Sequence, residues 1–438
     1  MKEIKSHSDN PTFGRTIDAL ENTNDSFLIT GKAGTGKSTL LREFVANTKK
    51  NVLVLAPTGI AAVNAGGQTI HSAFLFPLRP LVPDDEEIKI FNKNTPRGKV
   101  LLNVDTIIID EISMLRADLV DGIDQSLRLN LRQPDKPFGG KQVVMIGDPF
   151  QLEPVVTNTE LEKYMYGQHY DSPYFFSASV FKQYFVHCLE LKKVYRQSDP
   201  YFIGLLDKIR KNEADAQTLE DLNSRFNPRY SFKGDDYSVA LCTINARASS
   251  INDMQLARIN TPETRYTAAI EGDINTRHMP TDEDLFLRPG AQVVFIKNNP
   301  EGHWVNGTIA KVIDCQPELV IVELSNGEKK DVLREKWENV DYVWDRSRNK
   351  IDRRVKGTFT QMPFKLAWAM TIHKSQGLTF DNIVVDLTGG TFSHGQLYVA
   401  LSRCRTLDGI TLTQRIRQED IIVDQRVVDF VARYDIEG

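Results

Sequence analysis

The sequence predicts an α/β protein built from two parallel sheets, each flanked by helices and each interrupted by an insertion. Three observations predict this class. A glycine-rich phosphate-binding pattern lies between a strand-like and a helical segment near the N-terminus. Short apolar segments alternate with helical ones through residue 190. A second alternating set begins at residue 238 and has no such pattern of its own.

The glycine-rich pattern predicts a nucleotide site. Residues 31–38 match G-x-x-x-x-G-K-[ST] at every fixed position, after the strand-like run 26–30 and before the helical run 39–45. Glycines let backbone N–H groups curl around phosphates, and the helix directs its positive end at them. Lys37 is expected on the β- and γ-phosphates and the Ser38 hydroxyl on Mg²⁺. The predicted nucleotide contacts are Gly31, Ala33, Gly34, Thr35, Gly36, Lys37, Ser38 and Thr39.

Composition limits the class of protein. The chain has 438 residues, 41% hydrophobic and 26% charged, which is typical of globular proteins and leaves room for about three domains. No apolar run approaches the ~20 residues of a membrane span, and no signal-peptide core is evident. Four cysteines without metal-ligand spacing favour a reduced, cytoplasmic location. The net charge of −4 means that any DNA-binding charge must be concentrated in a groove.

The first unit is predicted at residues 1–190. Its strands are expected at 26–30, 52–56, 106–110, 143–146 and 186–191. Apolar residues recur every fourth position from Leu115 to Leu131, which predicts a helix packed on the sheet. Residues 66–99 are rich in Pro, Phe and charge and break the alternation, so they are predicted to form a projecting insertion.

The second unit is predicted to comprise residues 191–260 and 361–438. Its strands are expected at 238–243, 367–372, 382–386 and 409–412. The intervening residues 261–360 contain short strand-like runs and two Asn-Gly turns, which predict a compact antiparallel β-barrel. The whole pattern therefore predicts two RecA-like sheets, with the barrel inserted in the second.

Polar residues at strand ends predict a hydrolytic centre. Asp110 is expected to hold Mg²⁺, and Glu111 to orient and deprotonate the attacking water. Gln151 follows the next strand and is expected at the γ-phosphate, with a solvated turn residue as the alternative. A transferring phosphoryl group also needs cations from outside the loop. Arg196 and Arg403 are the candidates, and spacing alone leaves a surface position equally open.

Five segments, in order along the chain, resemble the motifs of helicase superfamily one. They are residues 30–38, 110–114, 147–152, 371–377 and 398–403. Residues 118–132 and 138–142 are similar to those of the PIF-type helicases (named for petite integration frequency), which are related to the RecD-type helicases. The resemblance runs from residue 26 to residue 412.

The resemblance implies an ATP-dependent DNA helicase that moves 5′ to 3′ on single-stranded DNA and unwinds duplexes, with G-quadruplexes and RNA–DNA hybrids as further substrates. It implies arginine-finger roles for Arg196 and Arg403, a γ-phosphate approach by Gly377, a wedge in the first insertion and a Src-homology-3-like barrel in the second. The implied partners are single-stranded and tailed duplex DNA, for a nucleoid-associated monomer in replication, repair, recombination or telomere maintenance. One departure matters: residues 8–20 lack the family's adenine-reading glutamine, so strict use of ATP is not expected.

Single-strand binding requires phosphate-directed donors and a few stacking faces. Loops after the strands of both units match the family's DNA contacts, and Phe74 and Phe76 are expected to stack on bases or to wedge the duplex. The predicted DNA contacts are Pro57, Thr58, Thr69, His71, Phe74, Phe76, Thr243, Asn245, Lys297, His373, Lys374, Ser375 and Gln376. Core positions for the two phenylalanines and a turn role for His71 are the alternatives. The basic run between Arg346 and Lys356 is more typical of a solvated hairpin than of a DNA groove.

Other functions fit parts of the pattern. A RecD-like subunit would depend on partners, and a single-strand translocase would unwind poorly. A nucleotide-gated DNA-binding module is disfavoured because it needs no water-activating carboxylate such as Glu111. An RNA substrate also fits, since stacking platforms and phosphate contacts tolerate either sugar.

Overall fold

The computed structural model describes residues 11–156, 159–232, 237–276 and 279–433. Its helices are α1 (Pro11–Asn22), α2 (Lys37–Asn47), α3 (Gly59–Ala65), α4 (Ile70–Phe74), α5 (Pro96–Asn103), α6 (Ala117–Leu131), α7 (Glu160–Tyr164), α8 (Pro200–Lys211), α9 (Ala216–Asn223), α10 (Asn245–Ala257), α11 (Gln396–Leu401) and α12 (Gln425–Arg433). Residues 1–10 lie outside the described residues; they begin the first predicted unit and include the start of the stretch without a glutamine. Residues 434–438, at the end of the second predicted unit, also lie outside them.

Twenty strands are described. They are β1 (Phe27–Thr30), β2 (Val52–Ala56), β3 (Gln68–Thr69), β4 (Thr106–Ile109), β5 (Gln142–Ile146), β6 (His187–Glu190), β7 (Val239–Cys242), β8 (Thr264–Thr267), β9 (Ala269–Gly272), β10 (Asp284–Leu287), β11 (Gln292–Phe295), β12 (Ile309–Cys315), β13 (Leu319–Leu324), β14 (Lys329–Leu333), β15 (Glu335–Asp345), β16 (Lys350–Gln361), β17 (Phe364–Leu366), β18 (Ala369–Thr371), β19 (Ile383–Asp386) and β20 (Ile410–Leu412).

The first unit is a parallel sheet in the order β3-β2-β4-β5-β1-β6. Its strands are apolar runs because both faces are covered. In β4, Ile107 and Ile109 join the core on one face, and Ile108 joins the core on the other. The five strands predicted for this unit and the helix α6 are confirmed. The phosphate loop after β1 and the two carboxylates after β4, Asp110 and Glu111, therefore lie at the same carboxyl edge of this sheet.

The first insertion is shorter than predicted. Residues 68–69 form β3 and pair with β2 at the sheet edge, so the main sheet continues past residue 66. We call the irregular chain between α4 and α5, residues 75–95, the projection; Phe76, Leu81 and Ile88 anchor it in the first core, and Leu78 and Ile90 are exposed. Arg79 pairs with Asp85 and Glu87 within it, and the Leu81 N–H donates to the buried carboxylate of Asp118 at 2.9 Å. These contacts give the projection a fixed shape.

The stacking and wedge role expected for Phe74 and Phe76 is wrong. Phe74 is 0% and Phe76 5% exposed, and their rings stack on each other, 5.2 Å apart, inside the first core. Burying a phenylalanine side chain contributes about 1.5–3 kcal/mol. Stacking on a base offers about 1–3 kcal/mol, so leaving the core for DNA would yield no net gain.

The second unit has a parallel sheet in the order β18-β7-β19-β20, which confirms its four predicted strands. Antiparallel strands interrupt it, as expected, and form sheets in the orders β14-β13-β12-β11-β17, β15-β16-β9 and β10-β8. Strand β17 belongs to this region although it lies beyond residue 360. Closure into a Src-homology-3-like barrel and the domain boundaries stay predictions.

The long hairpin β15–β16 contains the basic run and extends well beyond it, from residue 335 to residue 361. It extends from the second unit to the first, where Tyr342 and Ile351 pack with the first core and the Ile351 N–H donates to Asn51 Oδ1 at 3.2 Å. At its tip, Arg348 forms ion pairs with two aspartates of the hairpin itself. The basic run thus belongs to a hairpin with exposed, internally paired charge, as its composition favoured.

Helix α12 ties the end of the chain back to the first unit. The Phe430 ring stacks on Phe176 at 4.4 Å, and Val427 packs with Phe150 and Tyr174. In the described part of the chain, no helix combines the length and the apolar character that crossing a bilayer requires.

Candidate active site

The phosphate loop connects β1 to α2 and packs tightly against the chain around Arg196. Gly34 has a φ of +80°, and a Cβ there would lie 2.4 Å from the Arg196 Cβ. Glycine is therefore required by both conformation and space. The Lys37 ammonium group donates to the carbonyls of Gly31 and Lys32 within the loop. Burial lowers the pKa of Lys37, although the carboxylates of Asp148 and Glu111 oppose this.

Two carboxylates follow β4 directly. Asp110 Oδ1 accepts a hydrogen bond from the Glu111 N–H at 3.0 Å, and Glu111 takes a left-handed φ of +52°. Burial, and then the neighbouring charge of Glu111, raises the pKa of Asp110 to about 7. Burial likewise raises the pKa of Glu111, while the charges of Lys37 and Arg403 oppose it. Such raised values are typical of a general base or a cation site.

Lys37 and Glu111 line a cleft of about 390 Å³ between the two units. The first unit contributes Ala33, Gly34, Thr35, Gly36, Lys37, Ser38, Thr39, Glu111 and Gln151, and the remaining lining residues are Tyr195, Arg196, Gly377, Thr379, Arg403 and Arg405. All predicted catalytic residues meet here. The predicted nucleotide contacts meet here too, except that Gly31 is not among the lining residues.

The two candidate arginines come from distant parts of the sequence, after β6 and after α11, and both hydrogen-bond to Ser402. Arg403 is only 2% exposed, and its Nε and Nη2 donate to the Val399 carbonyl and the Ser402 hydroxyl. Arg196 Nη1 donates to the Ser402 carbonyl at 3.1 Å. Burial and, next, repulsion from Arg403 lower the pKa of Arg196 to about 9, and burial lowers that of Arg403. Both guanidinium groups donate these hydrogen bonds to uncharged acceptors, which do not neutralise their positive charge. This arrangement favours the binding of an anion in the cleft.

The predicted Mg²⁺ ligands, Ser38 and Asp110, both line a second cavity that adjoins the first. A hydroxyl and a carboxylate are the hard oxygen donors that Mg²⁺ prefers. Burial first, and then the neighbouring charge of Glu111, raises the pKa of Asp110, and a bound divalent cation would favour the charged carboxylate. The donor set therefore fits the ion.

Sequence reasoning missed Tyr195 as part of the nucleotide cleft. Its N–H donates to the Gly34 carbonyl at 2.8 Å, and its ring edge lies 3.7 Å from where a Cβ on Gly36 would stand. The available signal was an aromatic residue directly before Arg196. An aromatic face here is positioned beside the phosphate loop, at the mouth of the cleft.

Several predicted DNA contacts meet at the second cavity, which has a volume of about 650 Å³. Those in its lining are Thr58, Lys297, His373, Lys374 and Gln376. Lys374 is exposed, while His373 is half-buried and burial lowers its pKa. The Gln376 amide nitrogen is buried without a hydrogen-bond partner. Donors from both units therefore face one groove next to the nucleotide cleft.

Other predicted DNA contacts have structural roles instead. Ser375 is fully buried and its hydroxyl donates to the Ile372 carbonyl, while the buried Thr243 hydroxyl donates to the Thr388 carbonyl. The Lys297 ammonium is paired with Glu335 at 2.8 Å. The fold itself uses the side chains of Ser375 and Thr243, and Lys297 is held in an ion pair, so DNA contact by these three residues stays a prediction.

The remaining predicted DNA contacts lie at loop and helix starts. The hydroxyls of Thr58 and Thr69 cap α3 and α4 by accepting backbone N–H bonds. Asn245 is exposed at the first position of α10. Pro57 and His71 are half-buried beside these caps. Their DNA contacts stay predictions.

Two family models match parts of this chain. Residues 8–217 match the family model of the PIF1-like helicases, and residues 366–407 match that of the UvrD-like helicase C-terminal domain. An ATP-dependent DNA helicase Pif1 of Bdellovibrio bacteriovorus is 31% identical over 97% of this chain and 92% of its own length. The human ATP-dependent DNA helicase PIF1 is 32% identical, and the chain spans 61% of it.

Solved structures agree over nearly the whole chain. Pif1 of a Bacteroides species in complex with ADP-AlF4 is 38% identical, with 96% of each chain covered and a TM-score of 0.89. Bacteroides Pif1 bound to single-stranded DNA is also 38% identical, covers 97% of this chain and 96% of its own, and has a TM-score of 0.69. The chain therefore has the two-sheet fold of these proteins.

Proposed function

The chain belongs to the PIF1-like helicase family, and we propose that it couples ATP hydrolysis in the inter-unit cleft to 5′-to-3′ movement along single-stranded DNA. It is an ATP-hydrolysing DNA helicase, as its relatives are named. We propose that the protein acts in the cytoplasm, in association with the nucleoid. The proposed substrate is a duplex with a single-stranded 5′ tail.

The observation that supports the coupling most strongly is that two arginines line one cleft together with the hydrolytic groups of the first unit. The buried Arg403 of the second unit and the half-buried Arg196 share this lining with Lys37 and Glu111. Their hydrogen bonds go to neutral groups, so a γ-phosphate is the anion that would complete them. Because the ligands come from two units, binding and hydrolysis alternately close and open the cleft.

Each group has a role in the proposed chemistry. Lys37 leaves the loop carbonyls and binds the β- and γ-phosphates, and Glu111 accepts the proton of the attacking water. Gln151 orients that water. Ser38 and Asp110 would hold Mg²⁺, which neutralises phosphate charge when it is bound with ATP.

Base recognition is proposed to rely on stacking. The Tyr195 ring stands beside the phosphate loop, where a base would project from the bound phosphates. Every purine and pyrimidine has a π face. This arrangement supports the expectation that other nucleoside triphosphates serve alongside ATP.

Leu78 is the proposed strand-separating tip in place of the buried phenylalanines. Its side chain is 91% exposed on the projection that Arg79 and its carboxylate partners hold rigid. Replacing Leu78 with serine is expected to lower the unwinding rate by about tenfold, since an apolar side chain inserted between base pairs offsets part of an unstacking cost of roughly a few kcal/mol. DNA-stimulated ATP hydrolysis should stay at the level of the unchanged protein. Both rates are measured on one tailed duplex.

The control for Leu78 is Ile90→Ser, another exposed apolar residue of the same projection, at 70% exposure. It should leave both rates unaltered. Equal losses of unwinding in the two variants would show that the projection matters as a whole and that Leu78 is not its tip.

ATP-driven strand separation of a 5′-tailed duplex tests the proposed function. The expected result is unwinding that requires both ATP and Mg²⁺ and is absent from Lys37→Ala, whose loop cannot bind the γ-phosphate. Hydrolysis stimulated by single strands without separation would contradict the helicase proposal and favour a translocase.

A further inference from the structure

A buried hydrogen-bond bridge joins the phosphate loop to the second unit beside the cleft. Tyr398, in α11, is 3% exposed. Its hydroxyl accepts from the Ala33 N–H at 2.9 Å and donates to Asp148 Oδ2 at 3.3 Å. Burial raises the pKa of the phenol, so the hydroxyl keeps its proton and remains a donor. One side chain of the second unit therefore contacts two separate loops of the first.

Asp148 is held by a second group from the same unit. Its Oδ1 accepts from Arg210 Nη2 at 2.9 Å and from the Phe150 N–H at 3.2 Å. The Arg210 guanidinium also lies 4.2 Å above the Phe150 ring. Burial alone would raise the pKa of Asp148, but the charges of Arg210 and Lys37 outweigh it and the pKa is lowered. Asp148 is therefore a charged acceptor fixed between Arg210 and Tyr398.

The bridge lies on the helix that carries a catalytic arginine into the cleft. Just before α11, Gly395 packs so closely on the Gln151 carbonyl that a Cβ would lie 2.6 Å from it. Just after α11, the Ser402 carbonyl receives Arg196, and Arg403 follows. Tyr398 sits between these two contacts. The distance between Arg403 and the phosphate loop is thus set along one short helix whose middle is bonded to Ala33.

We propose that Tyr398 is a positioning residue whose hydroxyl holds Arg403, and with it Arg196, in register with the phosphate loop for contact with the γ-phosphate. The inference rests on the proposed roles of these two arginines. A phenylalanine at 398 keeps the ring packing in the second core but leaves the Ala33 N–H and the Asp148 carboxylate each short of one partner. Arg403, which follows α11, and Arg196, which bonds to Ser402, would then no longer be held at a fixed distance from the phosphate loop.

The test compares the affinity of Tyr398→Phe for ADP with its affinity for ADP plus aluminium fluoride, which mimics the transferring phosphoryl group. ADP affinity should stay within about twofold. Affinity for the analogue should fall by about tenfold or more, which corresponds to about 1.4 kcal/mol, because the hydroxyl no longer holds Arg403 in register with the loop. The kcat for ATP hydrolysis should fall with it, while KM for ATP changes little.

Three further variants make the outcome decisive. Tyr201→Phe removes an exposed phenol on α8 that is bonded to Asp221, and should change neither affinity. Asp148→Asn keeps the shape of the acceptor but removes its charge; it should show the same selective loss and serves if Tyr398→Phe does not fold. Equal weakening of ADP and of the analogue, or no change in either, would overturn the positioning role. Arg403→Ala separates the two proposals, since absence of a selective loss there would refute the arginine roles themselves.

Discussion

Replacing Glu111 with glutamine is expected to lower kcat for ATP hydrolysis by roughly 10²–10⁴-fold, the usual contribution of a positioned general base. Glutamine keeps the size of the side chain and its place after β4, but it cannot accept the proton of the attacking water. Nucleotide binding should persist, because the phosphate loop and Lys37 are untouched. Removing one of two adjacent negative charges should even favour binding of the triphosphate.

Single-turnover hydrolysis and the affinity for a fluorescent ATP analogue together measure this effect. Glu220→Gln, an exposed carboxylate on α9, is the matched control and should leave both quantities unaltered. A Glu111→Gln protein that hydrolyses ATP within a few-fold of the unchanged rate would refute the role of Glu111. Loss of binding together with hydrolysis would instead show a structural role for this left-handed residue.

Replacing Arg403 with alanine is expected to lower kcat by about 10³–10⁵-fold, the range found for arginine fingers in phosphoryl transfer. The guanidinium is buried and lines the same cleft as Glu111, where no water can replace its charge at low cost. Binding of ADP should change little, because ADP has no γ-phosphate to contact. Steady-state hydrolysis with saturating single-stranded DNA gives the value.

Arg405→Ala is the control, because Arg405 also lines the cleft but is exposed and paired with Asp381 at 3.2 Å. Its loss should cost less than about tenfold in kcat, since exposed ion pairs contribute about 0–1 kcal/mol. Equal losses in the two variants would mean that positive charge in general, and not Arg403 in particular, stabilises the transferring phosphoryl group. Thermal unfolding of both proteins identifies any loss that comes from misfolding.

Local sequence was enough to predict the two sheets and the phosphate loop. Strand β4 is an unbroken apolar run buried on both faces, and the loop has glycines that close packing against Arg196 requires. Spacing alone did not decide whether Arg403 was buried or exposed, because burial of that arginine depends on α11 packing in the second core. The resemblance to superfamily one identified it.

Features that depend on tertiary contacts were missed or misjudged. An apolar run cannot distinguish a wedge from a core residue, so Phe74 and Phe76 were assigned to DNA while the exposed Leu78 was passed over. The reach of hairpin β15–β16 to the first unit was not predicted, because Tyr342 packs there with residues that are distant in sequence. The bond between Tyr398 and Ala33 joins residues far apart in sequence, which no local pattern encodes.

The central claim is that hydrolysis in the cleft drives movement along a single strand in the 5′-to-3′ direction. Unwinding of two duplexes that differ only in carrying a 5′ or a 3′ single-stranded tail, with ATP and Mg²⁺ supplied, tests it most directly. The account predicts strand separation from the 5′ tail alone, and none by Lys37→Ala. Separation from the 3′ tail alone would contradict it.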